Sequence, residues 1–184
     1  MKSIYQTNFK NQKVLVRVDF NVPLNSEKIV TDNTRIIAAK KTIDKIINDG
    51  GTAILMSHLG RPKGKDPELS LIHIVKTVEA VLEKPVLFTD QVVGEKTTEI
   101  VKNSKPGQIV LIENLRYYPQ EEEGNNSFAK ELSKLAGSYV NDAFGTAHRA
   151  HASTSVVAEF FKGNKFAGDL LLQEVGSIKK VIED

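Results

Sequence analysis

Short, nearly continuous apolar runs alternate along this chain with longer stretches in which apolar residues recur every three or four positions. The first pattern suits a strand covered on both faces, and the second suits a helix laid against a sheet. The runs predict strands at Val14 to Asp19, Thr52 to Ser57, Val86 to Thr89, Ile109 to Glu113 and Tyr139 to Asp142. Ile36, Ile37, Ile43, Ile46 and Ile47 keep helical spacing after a Thr31/Asp32 cap, and that segment stops at Gly50-Gly51. Leu71 to Leu82 predicts a second helix, opened by Ser70 and closed before Pro85. Phe128, Leu132 and Leu135 predict a third, ending at Gly137, and Val92 to Val101 a less regular one. Leu170, Leu171, Leu172, Val175, Ile178, Val181 and Ile182 then stripe a terminal helix from Ala167 to Asp184, whose apolar face needs something to pack on. Strands alternating with helices predict an α/β fold: an open, parallel, doubly wound, Rossmann-like sheet with helices on both faces, a three-layer sandwich.

Such sheets bind ligands beyond the carboxyl ends of their strands. The polar residues collect there: Asp19-Phe20-Asn21 after the first strand, Ser57 to Pro62 after the second, Glu113 to Arg116 after the fourth, and Asn141-Asp142 through His151 after the fifth.

Composition sharpens this picture in one respect. The chain has 184 residues, 40% hydrophobic and 26% charged, which is ordinary for one globular domain. Its formal charge of +2 is too small for a nucleic-acid binder working by bulk electrostatics. The absence of cysteine excludes disulfides and thiolate sites, and no run approaches the length of a membrane span, so a cytoplasmic protein is expected. The basic residues are 20 lysines and only five arginines, Arg17, Arg35, Arg61, Arg116 and Arg149, and four of the five fall on the predicted rim. Arg35 opens the first long helix, where a cation opposes the helix dipole. Guanidinium is a planar fork that matches phosphate and carboxylate, which an ammonium is not.

Each arginine also has a structural reading: Arg17 paired with Asp19, Arg116 with the run Glu121 to Glu123, and Arg149 with Asp142. Jointly, the choice of arginine over lysine at one edge of the sheet favours an anion site. The run Glu121 to Glu123 itself reads as a solvated loop. His73 reads as an ordinary helix residue, whereas His58, His148 and His151 have cationic neighbours that keep them neutral and disfavour a metal site. Gly60 to Asp66 is one residue short of a P-loop and ends without its Ser or Thr, so no nucleotide motif is recognised.

Five segments, in order, carry a resemblance: RVDFNVP from Arg17 to Pro23, DNTRI from Asp32 to Ile36, SHLGRPKG from Ser57 to Gly64, LIENLR from Leu111 to Arg116, and NDAFGTAHRAHAST from Asn141 to Thr154. Together they resemble the N-terminal, 3-phosphoglycerate-binding domain of the phosphoglycerate kinase family. The resemblance runs from about Ile4 to about Leu172. It implies reversible phosphoryl transfer between 1,3-bisphosphoglycerate and ADP, giving 3-phosphoglycerate and Mg-ATP in glycolysis. It further implies a substrate-binding domain at residues 1–169 and the start of an interdomain helix at 170–184. The nucleotide and its magnesium would be held mainly by a C-terminal domain that the sequence does not include, so this chain alone is expected to lack kinase turnover and to bind no cofactor or metal. The implied partners are the phosphoglycerate substrates and the second domain, with neither nucleic acid nor membrane, in a monomeric whole enzyme.

Carried over by motif, Asp19, Phe20, Asn21, Arg35, His58, Leu59, Gly60, Arg61, Arg116 and Arg149 would bind substrate, Phe20, Leu59 and Gly60 largely through backbone. Arg17, His148 and His151 would support the basic patch. Arg35 would reach the transferring phosphoryl group and act as the catalytic residue. Departures such as Lys40-Lys41, Tyr117-Tyr118-Pro119 and Ser155 touch none of these positions. A free-standing phospho-metabolite binding module without catalysis is the alternative.

Overall fold

Alternation within the strands decides the architecture, because every second residue points to the same face. In the computed structural model, which describes residues 1–183, Val14 and Val16 of β2 (Lys13–Arg17) enter one core while Leu15 enters another. β3 (Thr52–Met56) divides likewise, with Ala53 and Leu55 on the first face and Ile54 and Met56 on the second. The first core is closed by α1 (Thr34–Asn48) and α2 (Val75–Leu82) through Ile36, Ile43, Ile46, Val78 and Leu82. The second is closed by α3 (Glu95–Asn103) and α4 (Asn126–Ser133) through Val101, Phe128, Ala129 and Leu132. The result is the predicted three-layer α/β sandwich.

Among the described residues the sheet has seven strands in the order β1-β7-β6-β2-β3-β5-β4, every pair parallel. The further strands are β4 (Val86–Phe88), β5 (Ile109–Leu111) and β6 (Ser138–Asn141), each predicted, and β1 (Lys2–Ser3) and β7 (Lys165–Ala167), which the pattern did not predict. At two and three residues, those two are too short to show a period. Pairing with β6 extends the sheet through β7, and Phe166 lies edge-on to Phe9 at 5.4 Å.

The helices start later or more tightly than their apolar stripes. α1 takes Asn33 as its N-cap, one residue beyond the expected cap, and Asp32 accepts the Thr34 N–H at 2.9 Å. The Leu71 segment begins as a 3₁₀ turn before α2. The last helix, α6 (Asp169–Glu183), begins two residues after Ala167, and the expected end at Asp184 lies outside the described residues. Leu171 is buried near its start, but Val181 and Ile182 are 80% and 78% exposed. Between β6 and β7, α5 (Phe144–Ala147) and a π-type turn at Ala152–Val156 carry the chain over the carboxyl edge of the sheet.

Candidate functional site

β6, β2, β3 and β5 are neighbours, so the loops leaving their carboxyl ends meet. They enclose a cleft of about 200 Å³ lined by Asp19, Asn21, Arg35, His58, Arg61, Arg116, Gly145, Thr146 and Arg149. Seven of these nine were singled out in the sequence, and Gly145 and Thr146 were not. A larger cleft of about 360 Å³, lined by Leu87, Ile100 and Gln108 among others, lies beside edge strand β4 and has Glu99 and Lys105 as its only charged residues. Size alone is no guide to chemistry here, because convergent polar groups mark a site better than volume.

The cleft is held open by short polar contacts. Asn21 Oδ1 accepts the Gly60 N–H at 2.8 Å, and Arg116 donates to the Gly60 carbonyl at 3.0 Å, so the first, second and fourth loops are tied at one glycine. Gly60 has φ +62°, and a Cβ there would lie 2.9 Å from the Leu69 side chain, so glycine spares this backbone path strain that a larger residue would bring. Asn114 locks the same loops from below. Its oxygen accepts the N–H groups of Leu59 and Arg116, and its amide donates to the carbonyls of Leu59 and Leu69 at 2.7 and 2.8 Å. Glu113 accepts from the Ser70 hydroxyl, Leu71 N–H and Asn114 N–H at 2.6 to 2.8 Å. Asn114 and Glu113 were thus passed over as ligands yet set where the ligand-facing residues stand.

The arginines divide by partner. Arg35, half-exposed on α1, pairs with Asp19 on the cleft wall. Arg116 is mostly buried and lies 3.5 Å from Glu122, so the structural reading holds for it while it also lines the cleft. Arg61 and Arg149 are exposed and make no ion pair among the described residues. The expected Arg149–Asp142 pair is therefore not formed.

Arg17 does not form the expected pair with Asp19. It is 1% exposed, pairs with no carboxylate directly, and lies beneath the cleft without lining it. Its Nε donates to Ser153 Oγ at 2.8 Å, one terminal nitrogen donates to the Val18 carbonyl, and the other lies 3.0 Å from His58 Nδ1. Burial pushes its pKa down, and Glu121 and Asp19 oppose that. Glu121 is likewise no part of a solvated loop. It is 1% exposed, with one oxygen accepting the Ser153 N–H at 3.0 Å and the other the Ser153 hydroxyl.

Among the histidines, His58 lines the cleft, His148 is exposed beside it, and His151 is buried outside it. Burial, and after it Arg17 and Arg116, pushes His58 down to about 2. Burial also lowers His151. Phe20 and Leu59 are buried and do not line the cleft, their N–H groups donating to Ser57 Oγ at 2.9 Å and Asn114 Oδ1 at 3.2 Å.

One carboxylate behind the cleft is less well provided for. Asp142 is fully buried, its Oδ1 accepts the Leu171 N–H of α6 at 3.3 Å, and its Oδ2 has no hydrogen-bond partner. Burial raises its pKa to about 7, against the pull of the nearby Thr42 hydroxyl and the α6 N–H groups. A Cβ on Gly168 would lie 2.2 Å from Asp142 Oδ1, so only glycine lets α6 start this close.

A doubly wound parallel sheet with a cationic cleft at the carboxyl edge, where the strand order turns back, defines an α/β protein with a candidate anion site at the place where such sheets bind ligands. The Phosphoglycerate kinase family profile matches residues 4–184. The chain belongs to the phosphoglycerate kinase family. It is 43% identical to phosphoglycerate kinase of Porphyromonas gingivalis over 206 aligned residues, covering 99% of this chain and 49% of that protein. It is 48% identical to the Moorella thermoacetica enzyme over 175 residues, 95% of this chain and 44% of that one. The solved phosphoglycerate kinase of Coxiella burnetii superposes with a TM-score of 0.86 at 35% identity, covering 97% of this chain and 44% of that structure. That of Pyrococcus horikoshii gives 0.88 at 28% identity, over 98% and 45%. The chain therefore spans about half the length of the relatives it matches.

Proposed function

We propose that this chain supplies the phosphoglycerate site of a phosphoglycerate kinase, binding 3-phosphoglycerate and 1,3-bisphosphoglycerate for reversible phosphoryl transfer with ADP and ATP. The observation that carries this reading is the pair of exposed guanidiniums, Arg61 and Arg149, which have no ion-pair partner among the described residues and share a cleft with Arg116, Arg35 and His58. Asp19 is the only carboxylate in the lining, and Arg35 already meets its charge. What is left over is positive charge in fork geometry, which suits a phosphate dianion.

In this reading Arg61, Arg149, Arg116 and His58 clamp the phosphate that is not transferred, and Asp19 and Asn21 take the hydroxyl and carboxylate end. Arg35 keeps N–H groups free beyond its Asp19 contact and is the residue to meet the transferring phosphoryl group, where charge redistributes in the transition state. Holding the acceptor still supplies a large part of such catalysis. Magnesium does not suit the residues present: among the described residues no group of three or more histidines and carboxylates could hold a metal ion, and the cleft lining is cationic. The nucleotide and its magnesium are assigned to a second domain, on which the exposed face of α6 would pack, residues 1–169 being the substrate domain. Residues 1–184 alone are then expected to bind substrate without turnover. No described helix is long and apolar enough to cross a membrane. A cytoplasmic, monomeric whole enzyme belongs to the same reading.

The test is calorimetric titration of the chain with 3-phosphoglycerate. Arg61→Lys and Arg149→Lys should each weaken binding by about 1 to 3 kcal/mol through loss of charge-assisted forked contacts. Unchanged affinity in both variants would remove the clamp.

A further inference from the structure

Guanidinium has donors and no acceptor, and it stays charged in proteins. The contact between Arg17 and His58 Nδ1 at 3.0 Å can therefore run in one direction only. Nδ1 must accept, so the imidazole proton sits on Nε2 and the ring is neutral. Nε2 makes no hydrogen bond within the protein, and it is not a buried orphan, since Asp142 Oδ2 is the only such side-chain atom among the described residues. Nε2 is thus the atom that His58 offers to solvent and to the cleft it lines.

Arg17 is itself fixed from behind. Its Nε donates to Ser153 Oγ, whose own hydroxyl proton goes to Glu121, while the second Glu121 oxygen takes the Ser153 N–H. Tyr139 donates its hydroxyl to the Ser153 carbonyl at 2.9 Å, which pins the turn carrying that serine. A buried guanidinium needs a counter-charge, and Glu121 provides it through one shared hydroxyl.

We propose that Arg17 is a positioning residue that acts through His58, fixing it as a neutral Nε2–H donor to the bound anion, and that Glu121 and Ser153 hold Arg17 in register for that task. The proposal rests on the reading of the cleft as a phosphate site, but the state of His58 is a property of the free chain. The charged and titratable groups around His58 include Arg17 from β2, Arg116 from the turn after β5, Arg35 from α1 and His151 from the segment after α5, and Asp19, Arg61 and Arg149 line the same cleft. Asp19, the one carboxylate in that lining, is already paired with Arg35, and the other groups are cationic or can become so. His58 then gives the anion a hydrogen bond that does not switch off as pH rises through neutrality, unlike one from a titrating imidazolium.

The deciding measurement is long-range ¹H–¹⁵N correlation NMR of the histidine rings in the unliganded chain, assigned with His58→Gln. The expected spectrum shows His58 as the Nε2–H tautomer, unchanged from pH 8 to pH 5. An Nδ1–H tautomer or an imidazolium at pH 6 overturns the proposal without any variant. Arg17→Met, where it folds, should let His58 titrate and exchange between tautomers, and a His58 still locked as Nε2–H in that variant would also overturn it. His58→Gln, which keeps an amide N–H near the place of Nε2, should bind 3-phosphoglycerate within about fivefold of the parent, whereas His58→Ala should lose about tenfold or more, the worth of one hydrogen bond to a charged group. Equal losses in the two would show that the donor is not what His58 contributes. A locked Nε2–H tautomer in a chain that fails to bind 3-phosphoglycerate would remove the phosphate reading and leave the relay standing.

Discussion

Glu121 and Asp142 are both carboxylates at the carboxyl edge of the sheet, 1% and 0% exposed, and the fold treats them in opposite ways. Glu121 spends both oxygens on Ser153 and, through it, faces the buried charge of Arg17. Asp142 has one weak acceptor contact to the start of α6 and an oxygen with no partner. A buried charge is tolerable when a counter-charge and hydrogen bonds satisfy it, and otherwise the group keeps its proton. The comparison separates two ways of neutralising an acid in one protein, by an arginine and by a proton.

The largest effect should come from making the same chemical change at both. Glu121→Gln leaves Arg17 buried without counter-charge and should destabilise the chain by about 3 kcal/mol or more in urea unfolding. Asp142→Asn removes a charge the site does not want, so it should be neutral below about pH 4, increasingly stabilising as pH rises from 4 to 7, and fully so above pH 7. Equal losses in the two variants would erase the distinction.

The next effect is one of pH. The Asp142 carboxyl has a folded pKa of about 7 against an ordinary 3.8, so the folded chain binds its proton more tightly and stability falls as pH rises from about 4 to 7. His58 has the opposite sign. Its folded value of about 2 lies below the ordinary 6.5, so stability is lost as pH falls below 6.5. Between roughly pH 4 and 6.5 the two slopes, each on the order of 1 kcal/mol per pH unit, offset one another. The parent should therefore show an unfolding midpoint nearly flat across that window, and Asp142→Asn should unmask a midpoint that climbs with pH.

The smallest effect concerns the close approach that isolates Asp142. Gly168→Ala places a methyl against its carboxylate and should cost about 1 to 3 kcal/mol, read as a lowered Tm. Were the Asp142 pKa also to fall in that variant, by NMR titration, the displaced helix would have let water reach the carboxylate.

These two acids also mark how far the sequence could be read. The strands β2, β3, β5 and β6 were legible because buried parallel strands are continuous in apolar residues, and their polar followers located the cleft. Arg35, at an awkward place on α1, was legible as a departure from a local rule. Glu121 was not. It sits in an acidic triplet that looks solvated, and only Ser153, 32 residues away, removes it from water. The expected Arg17–Asp19 pair failed for the same reason, since the Ser153 partner of Arg17 lies 136 residues along the chain. Such pairings leave no periodic trace, and the strands β1 and β7 are too short to leave one. Gly145 and Thr146 line the cleft without any charged group to draw notice.

The strand order sets a schedule as well as a shape. β2 takes β3 on one side and β6 on the other, with Val14 opposite both Ala53 and Ser138. One wall of the cleft is thus local in sequence, and the other must wait for a strand more than a hundred residues downstream, a closure that is entropically slow. A nascent chain that has made Asp19, His58 and Arg61 still has no cleft. Retention of a phosphorylated ligand would thus report that the last strands have docked, making the site its own gauge of completed folding.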